Sequence, residues 1–171
     1  MKNIVLVGFM GTGKTAVAKE LSRKLGMKYI STDDIIEEIE KIKISNIFSG
    51  KGEDYFRKVE KKVIKDISEM ENVVIDAGGG VSIDPENVQN LKEKGIIICL
   101  WAEPEVILER TKKYAHRPLL NVSDPLAKIK ELLEKRKPFY ERADHHIVTS
   151  KLSLDGVINE IERIIKDAKK D

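Results

Sequence analysis

The sequence is poor in anything that could cross-link it: among 171 residues there is one cysteine, Cys99. An intrachain disulfide is therefore excluded, and a lone thiol inside the apolar run 96–100 reads as core packing. Thiol usage this sparse fits the cytoplasm. Glutamine also occurs once, at Gln89; with Lys, Glu and Ile abundant, the composition leans toward a thermophilic or AT-rich source. No apolar run is long enough to span a bilayer, and the apolar start at residues 3–7 is too short for a secretion signal. No charge of one sign dominates: 31 Lys and Arg face 29 Asp and Glu, a formal net charge of +2. That balance points to neither nucleic acid nor a membrane surface as partner. His145 and His146 lack a third ligand nearby in sequence, so no metal centre is read there. Repeats, linkers and low-complexity tracts are missing too, and residues 1–171 read as one domain.

What is present is an alternation. Residues 3–7, 28–31, 72–76, 96–101 and 145–148 read as short buried strands, rich in Ile and Val. Residues 14–25, 33–41, 45–50, 53–70, 85–93, 104–113, 124–141 and 153–169 read as helices, with Gly26 a C-cap of the first and Pro138 a late kink or end. Residues 114–123 are polar and irregular. Strand–helix alternation repeated five times predicts right-handed crossovers and a parallel sheet covered on both faces, a three-layer α/β fold. Ligands of such sheets bind beyond the carboxyl ends of the strands.

The first of those ends carries Gly8-Phe9-Met10-Gly11-Thr12-Gly13-Lys14-Thr15, a match to G-x-x-x-x-G-K-[ST] between a predicted strand and a predicted helix. Glycines let the backbone curl so that its N–H groups face phosphate oxygens, and the helix N-terminus adds positive partial charge. Lys14 then reaches the β- and γ-phosphates, and the Thr15 hydroxyl serves Mg²⁺. A chance glycine-rich turn is the bland alternative. Gly11, Thr12, Gly13, Lys14, Thr15 and Ala16 are the expected ATP contacts.

Two further strand ends hold polar residues. In Ser31-Thr32-Asp33-Asp34 a carboxylate could orient a hydroxyl or take its proton, or Thr32 or Asp33 could simply cap the next helix. Asp76 closes the third strand, where a carboxylate serves Mg²⁺ in phosphate-binding folds; a polar strand end is the alternative. Gly78-Gly79-Gly80 follows at once, and three glycines permit close backbone approach to a ligand at an entropic cost that a plain turn rarely bears.

In their joint order and spacing these pieces resemble the shikimate kinase family over nearly the whole chain. The phosphate loop includes the family's Phe-Met. Asp33 with Ile36-Glu37, then Ile47-Phe48, Gly52-Glu53, Phe56-Arg57 and Glu60, resemble its acceptor-binding region, here residues 33–61. Gly78-Gly79-Gly80, Arg117-Pro118-Leu119-Leu120 and Arg136 with Tyr140 are similar to its glycine triplet, its lid (residues 111–123) and its late arginine segment. The resemblance implies a P-loop fold with strand order 2-3-1-4-5. It also implies transfer of the ATP γ-phosphate, with Mg²⁺, to the 3-hydroxyl of shikimate on the way to chorismate and the aromatic amino acids, in a monomeric cytoplasmic enzyme. Asp33 would bind the acceptor hydroxyls as base or orienter. Arg57 and Arg136 would hold the carboxylate, and Gly79 and Gly80 would lie against the ring. Arg110 would lie against adenine, and Arg117 would close over the phosphates.

One departure stands out. The family usually has Asp-Thr-Asp after strand two, and this chain has Ser31-Thr32-Asp33. Where the family often has a small residue, this chain has Asp76. The expectation is that the carboxylate near Mg²⁺ has moved by one strand, so that Thr15 and Asp76 serve the metal. Two rivals remain at this point: a related kinase for gluconate or a nucleoside monophosphate, and a catalytically silent nucleotide-binding relative.

Overall fold

In the computed structural model, which describes residues 2–113 and 120–168, five strands form one parallel sheet. They are β1 (Asn3–Gly8), β2 (Lys28–Ser31), β3 (Val73–Asp76), β4 (Gly95–Trp101) and β5 (His145–Val148), in the order β2-β3-β1-β4-β5. Strand order and direction match the expectation. Among the described residues the α-helices are α1 (Lys14–Leu25), α2 (Thr32–Glu40), α3 (Ile44–Lys51), α4 (Glu53–Ser68), α5 (Pro85–Lys94), α6 (Pro104–Thr111), α7 (Pro125–Tyr140) and α8 (Leu154–Asp167).

Alternation along each strand divides the core in two. Val5, Val7, Val73, Ile75, Ile97 and Cys99 face one way and pack with Ile36, Phe56, Ile64, Leu91, Ile107, Ile129 and Tyr140 from α2, α4, α5, α6 and α7. Ile4, Leu6, Val74, Ile98 and Leu100 face the other way, against Val17, Ala18 and Leu21 of α1 and Val157, Ile158 and Ile161 of α8. Cys99 is buried as expected, and burial pushes its thiol up to about 12.

Local chemistry sets the element ends. Gly26 takes a left-handed conformation and returns its N–H to Ser22 O, closing α1. Asp84 and Ser153 accept backbone N–H groups to open α5 and α8. Two expectations need correction. Ser31, not Thr32 or Asp33, caps α2 by accepting from Asp34 N at 3.1 Å, and the helix starts one residue early. Thr32 is engaged elsewhere, its hydroxyl accepting from Gly78 N at 2.8 Å. The chain after the glycine triplet also forms a 3-10 turn, Val81–Ile83, where no element was expected. Pro138 lies inside α7, which ends two residues later at Tyr140. Among the described residues, no helix is long and apolar enough to cross a membrane.

Candidate active site

At the carboxyl end of β1 the chain curls from Gly8 to Thr15 and enters α1. Gly8, Gly11 and Gly13 all have positive φ, a conformation that a side chain would resist. Lys14 folds back over the loop and donates to Gly8 O at 2.9 Å and Phe9 O at 3.0 Å. The N–H groups of Gly11, Thr12 and Gly13 belong to this curl, just ahead of α1. Consecutive backbone donors at a helix N-terminus, with an ammonium beside them, form a cradle for phosphate oxygens. Ala16 is exposed on the first turn of α1.

Thr15 donates its hydroxyl to Asp76 Oδ2 at 2.6 Å, joining α1 to the end of β3. Tyr29 donates to the same oxygen at 3.3 Å; burial, and then the Asp76 charge, push its phenol up to about 12. Ser31 and Asp76 are register partners on adjacent parallel strands, so their side chains emerge on the same face at the same level. A carboxylate at either position therefore enters the same space beside Thr15.

The glycine triplet organises the acceptor side. A methyl built on Gly78 would lie 2.6 Å from Asp33 Oδ1. One on Gly79 would lie 3.3 Å from Arg136 Nη1 and 3.6 Å from Gly8 O, the carbonyl that Lys14 binds. One on Gly80 would overlap the Arg57 guanidinium. Each glycine thus leaves room for one of the three polar side chains singled out in the sequence, and all three meet beside the phosphate loop. Arg136 also sits with Cζ 5.4 Å from the centre of the Phe9 ring, within the loop itself.

Two neighbours were read from the sequence only as parts of a motif. Glu60, 2% exposed, accepts from Arg57 Nη1 at 2.7 Å. Burial holds its carboxyl above the usual range, against the opposing pull of Arg57 and Arg136. Tyr140, whose phenol burial pushes up to about 12, donates to Gly79 O at 2.8 Å and fixes the middle of the triplet. A third residue was missed altogether: Thr149, after β5, is 2% exposed and touches the phosphate loop. Its place just beyond the carboxyl end of β5 is the signal the sequence offered, since the contact itself spans 137 positions. Arg110 of α6 donates to Gly11 O and to Thr149. Arg117 and residues 114–119 of the expected lid lie outside the described residues.

Two surface depressions, of about 620 and 310 Å³, are lined by α5 with Arg142 and by Trp101 with α6 and α7 residues. Neither is lined by the phosphate loop or the triplet, so they are not the site.

Similarity to known proteins agrees with this geometry. The family profile described as shikimate kinase matches residues 10–166. A shikimate kinase of Thermodesulfovibrio yellowstonii is 48% identical over 167 residues, covering 98% of this chain and 95% of that protein. One of Caldanaerobacter subterraneus is 47% identical over 163 residues, covering 95% of each. Among solved structures, the shikimate kinase of Acinetobacter baumannii in complex with shikimate has a TM-score of 0.93 at 34% identity, covering 100% of this chain and 96% of that one. The shikimate kinase of Aquifex aeolicus has a TM-score of 0.85 at 38% identity, covering 98% of both chains.

Proposed function

The chain belongs to the shikimate kinase family, and from that premise we propose how its residues carry the reaction. It is an ATP-dependent kinase that phosphorylates a hydroxyl of shikimate, in our reading the 3-hydroxyl. The observation that carries the acceptor assignment is the triplet's fit to Asp33, Arg136 and Arg57, one glycine to each side chain. One carboxylate and two guanidinium groups beside a phosphate cradle suit a polyol that bears its own carboxylate.

In this reading Arg57 and Arg136 pair with the acceptor carboxylate, for which the guanidinium fork is geometrically matched. Glu60 holds Arg57 from behind. Asp33 accepts a hydrogen bond from the attacking hydroxyl and takes its proton as the new O–P bond forms and the bond from the γ-phosphorus to the bridging oxygen breaks, ADP leaving with that oxygen. The loop amides of Gly11, Thr12 and Gly13 and the Lys14 ammonium hold the phosphates, so that transfer proceeds by positioning and electrostatics. Arg110 lies at the adenine end, and Arg117 completes a lid over residues 111–123 that keeps water from intercepting the phosphoryl group. Residues 1–171 act as one domain, a cytoplasmic monomer.

Mg²⁺ fits this site by donor chemistry. Thr15 Oγ1 and the Asp76 carboxylate are both hard oxygen ligands, 2.6 Å apart at their closest. No cluster of three His, Cys, Asp or Glu residues suited to a metal is found among the described residues. A small cation that keeps several waters and takes others of its ligands from phosphate needs only such a pair. When bound, it neutralises charge on the β- and γ-phosphates. Asp76 takes the place of the carboxylate that Ser31 lacks.

The test is ADP release with a panel of acceptors: shikimate, gluconate, AMP and CMP. Stimulation by shikimate alone is expected. Stimulation by gluconate or a nucleotide, or by none of the four, overturns the reading.

A further inference from the structure

The phosphate loop is gripped from its outer side by two residues on other elements. Arg110 Nη1 donates to Gly11 O at 3.2 Å and to Thr149 Oγ1 at 3.0 Å, while Nη2 donates to Thr149 O at 3.2 Å. Thr149 Oγ1 donates to Thr12 O at 3.0 Å, with Trp101 O also in reach at 3.1 Å. A guanidinium can only donate, so the single hydroxyl proton of Thr149 is directed to a carbonyl. Trp101 O already receives Thr149 N at 2.8 Å, which leaves Thr12 O as the acceptor that needs it.

In a trans peptide the C=O of one residue and the N–H of the next point in opposite directions. Drawing Gly11 O toward Arg110 therefore turns Thr12 N–H the other way, and drawing Thr12 O toward Thr149 does the same for Gly13 N–H. These are two of the amides assigned above to the phosphate cradle. A methyl built on Gly13 would meet nothing within 4 Å. We infer that Thr149 is a positioning residue: its buried hydroxyl, with Arg110, fixes the Gly11–Thr12 and Thr12–Gly13 peptide planes so that the N–H groups of Thr12 and Gly13 face the nucleotide's phosphates before it arrives. The inference rests on the phosphate-cradle reading above and adds a residue that touches neither phosphate nor acceptor. Such fixing lowers the cost of binding, because loop order is established in advance.

Inorganic tripolyphosphate separates this role from contacts to adenine, since it presents the phosphates alone. Its Kd, and that of MgADP, are measured by calorimetry for the wild type, Thr149→Val and Thr149→Ser. Loss of the Thr149 hydroxyl, which both donates to Thr12 O and accepts from Arg110 Nη1, is expected to weaken tripolyphosphate binding roughly tenfold or more in Thr149→Val. Thr149→Ser, which keeps the hydroxyl, should bind within about twofold of wild type. Shikimate binding without nucleotide should be unaltered in both. Wild-type tripolyphosphate affinity in Thr149→Val overturns the inference. So does weakening confined to MgADP, which would assign Thr149 to the adenine end, or a serine variant as weak as the valine one. If Thr149→Val does not fold, Thr149→Cys replaces it with the same expectation. A wild-type protein that binds neither tripolyphosphate nor MgADP would instead sink the cradle reading itself.

Discussion

Replacing Gly80 by alanine should damage acceptor binding while leaving the protein folded. The backbone there has φ −102° and ψ −3°, which alanine adopts without strain, so the effect is purely one of space. The new methyl would meet Arg57 Nη2 at 2.5 Å and Cζ at 2.7 Å and overlap Nη1. Ordinary contact requires the guanidinium to retreat by about 1 Å. The obstacle is the end of a flexible side chain, so the chain can yield, keeping its links to Glu60 and Glu53 through altered torsions. A retreated guanidinium no longer matches the acceptor carboxylate. A charge-assisted hydrogen bond contributes about 1.5–3 kcal/mol, which at about 1.4 kcal/mol per tenfold corresponds to a KM for shikimate raised about 10- to 100-fold. The KM for ATP should stay within about twofold, since the phosphate loop is untouched. A coupled ADP-release assay with shikimate and ATP varied in turn reads both constants, and a thermal melt followed by circular dichroism confirms folding. A folded Gly80→Ala protein with wild-type KM for shikimate would refute the reasoning, because Arg57 could then hold no carboxylate where the triplet leaves room for it.

Other outcomes follow from neighbouring residues. Asp76→Asn should lower turnover by about 100-fold or more and weaken Mn²⁺ binding in the presence of ADP, read by electron paramagnetic resonance; near-normal values of both end the metal assignment. Adding Ser31→Asp to that variant should recover part of the loss, since the two positions are register partners; no recovery would mean that the strand shift is not a simple exchange. Glu60 has a folded-state value raised above its ordinary 4.5, so between the two the folded protein holds a proton that the unfolded chain has released. The stability it contributes is present at the acid end and lost as pH rises through the raised value. Glu60→Gln should flatten that slope in denaturant titrations carried upward from the ordinary 4.5, and an unchanged slope would count against the assignment. Cys99 should resist thiol reagents at pH 8 in the native protein and react fully in denaturant, as mass spectrometry of the alkylated chain can show.

How far the fold could be read in the sequence depended on the kind of information each element needs. The three central strands, β1, β3 and β4, are near-continuous apolar runs rich in Val and Ile, and the helices carry 3.6-residue spacing; both patterns are local, and both placed elements to within a residue or two. The opening of α2 was harder because Ser31, Thr32 and Asp33 are all capping types in a row. Propensity cannot rank them. Ser31 takes the cap because the Thr32 hydroxyl accepts Gly78 N, 46 positions away. The 3-10 turn at Val81–Ile83 was missed for a related reason: Val81 N and Ile83 N bond back to Gly78 and Gly80, carbonyls of glycines that carry no conformational signal of their own.

The site divides along the same line. Glycine, lysine and hydroxyl at fixed spacing identify the phosphate loop without any tertiary knowledge, because one loop supplies its own amides. The acceptor groups come from α2, α4 and α7, and nothing in the local chemistry of Arg57 or Arg136 distinguishes them from surface arginines; family resemblance was needed to single them out. The triplet supplies the missing physical reason. Three adjacent glycines cost conformational entropy on folding, and that cost is hard to justify for a turn alone. It becomes intelligible once each position faces a different side chain that a methyl would crowd or displace: Asp33 at Gly78, Arg136 at Gly79 and Arg57 at Gly80. The triplet is where the strand next to the phosphate loop hands over to the acceptor side, so its missing methyls set how close the two sets of polar groups can come. Transfer between bound partners depends on that distance as strongly as on a single catalytic contact, since a misplacement of about 1 Å costs on the order of a hundredfold in rate.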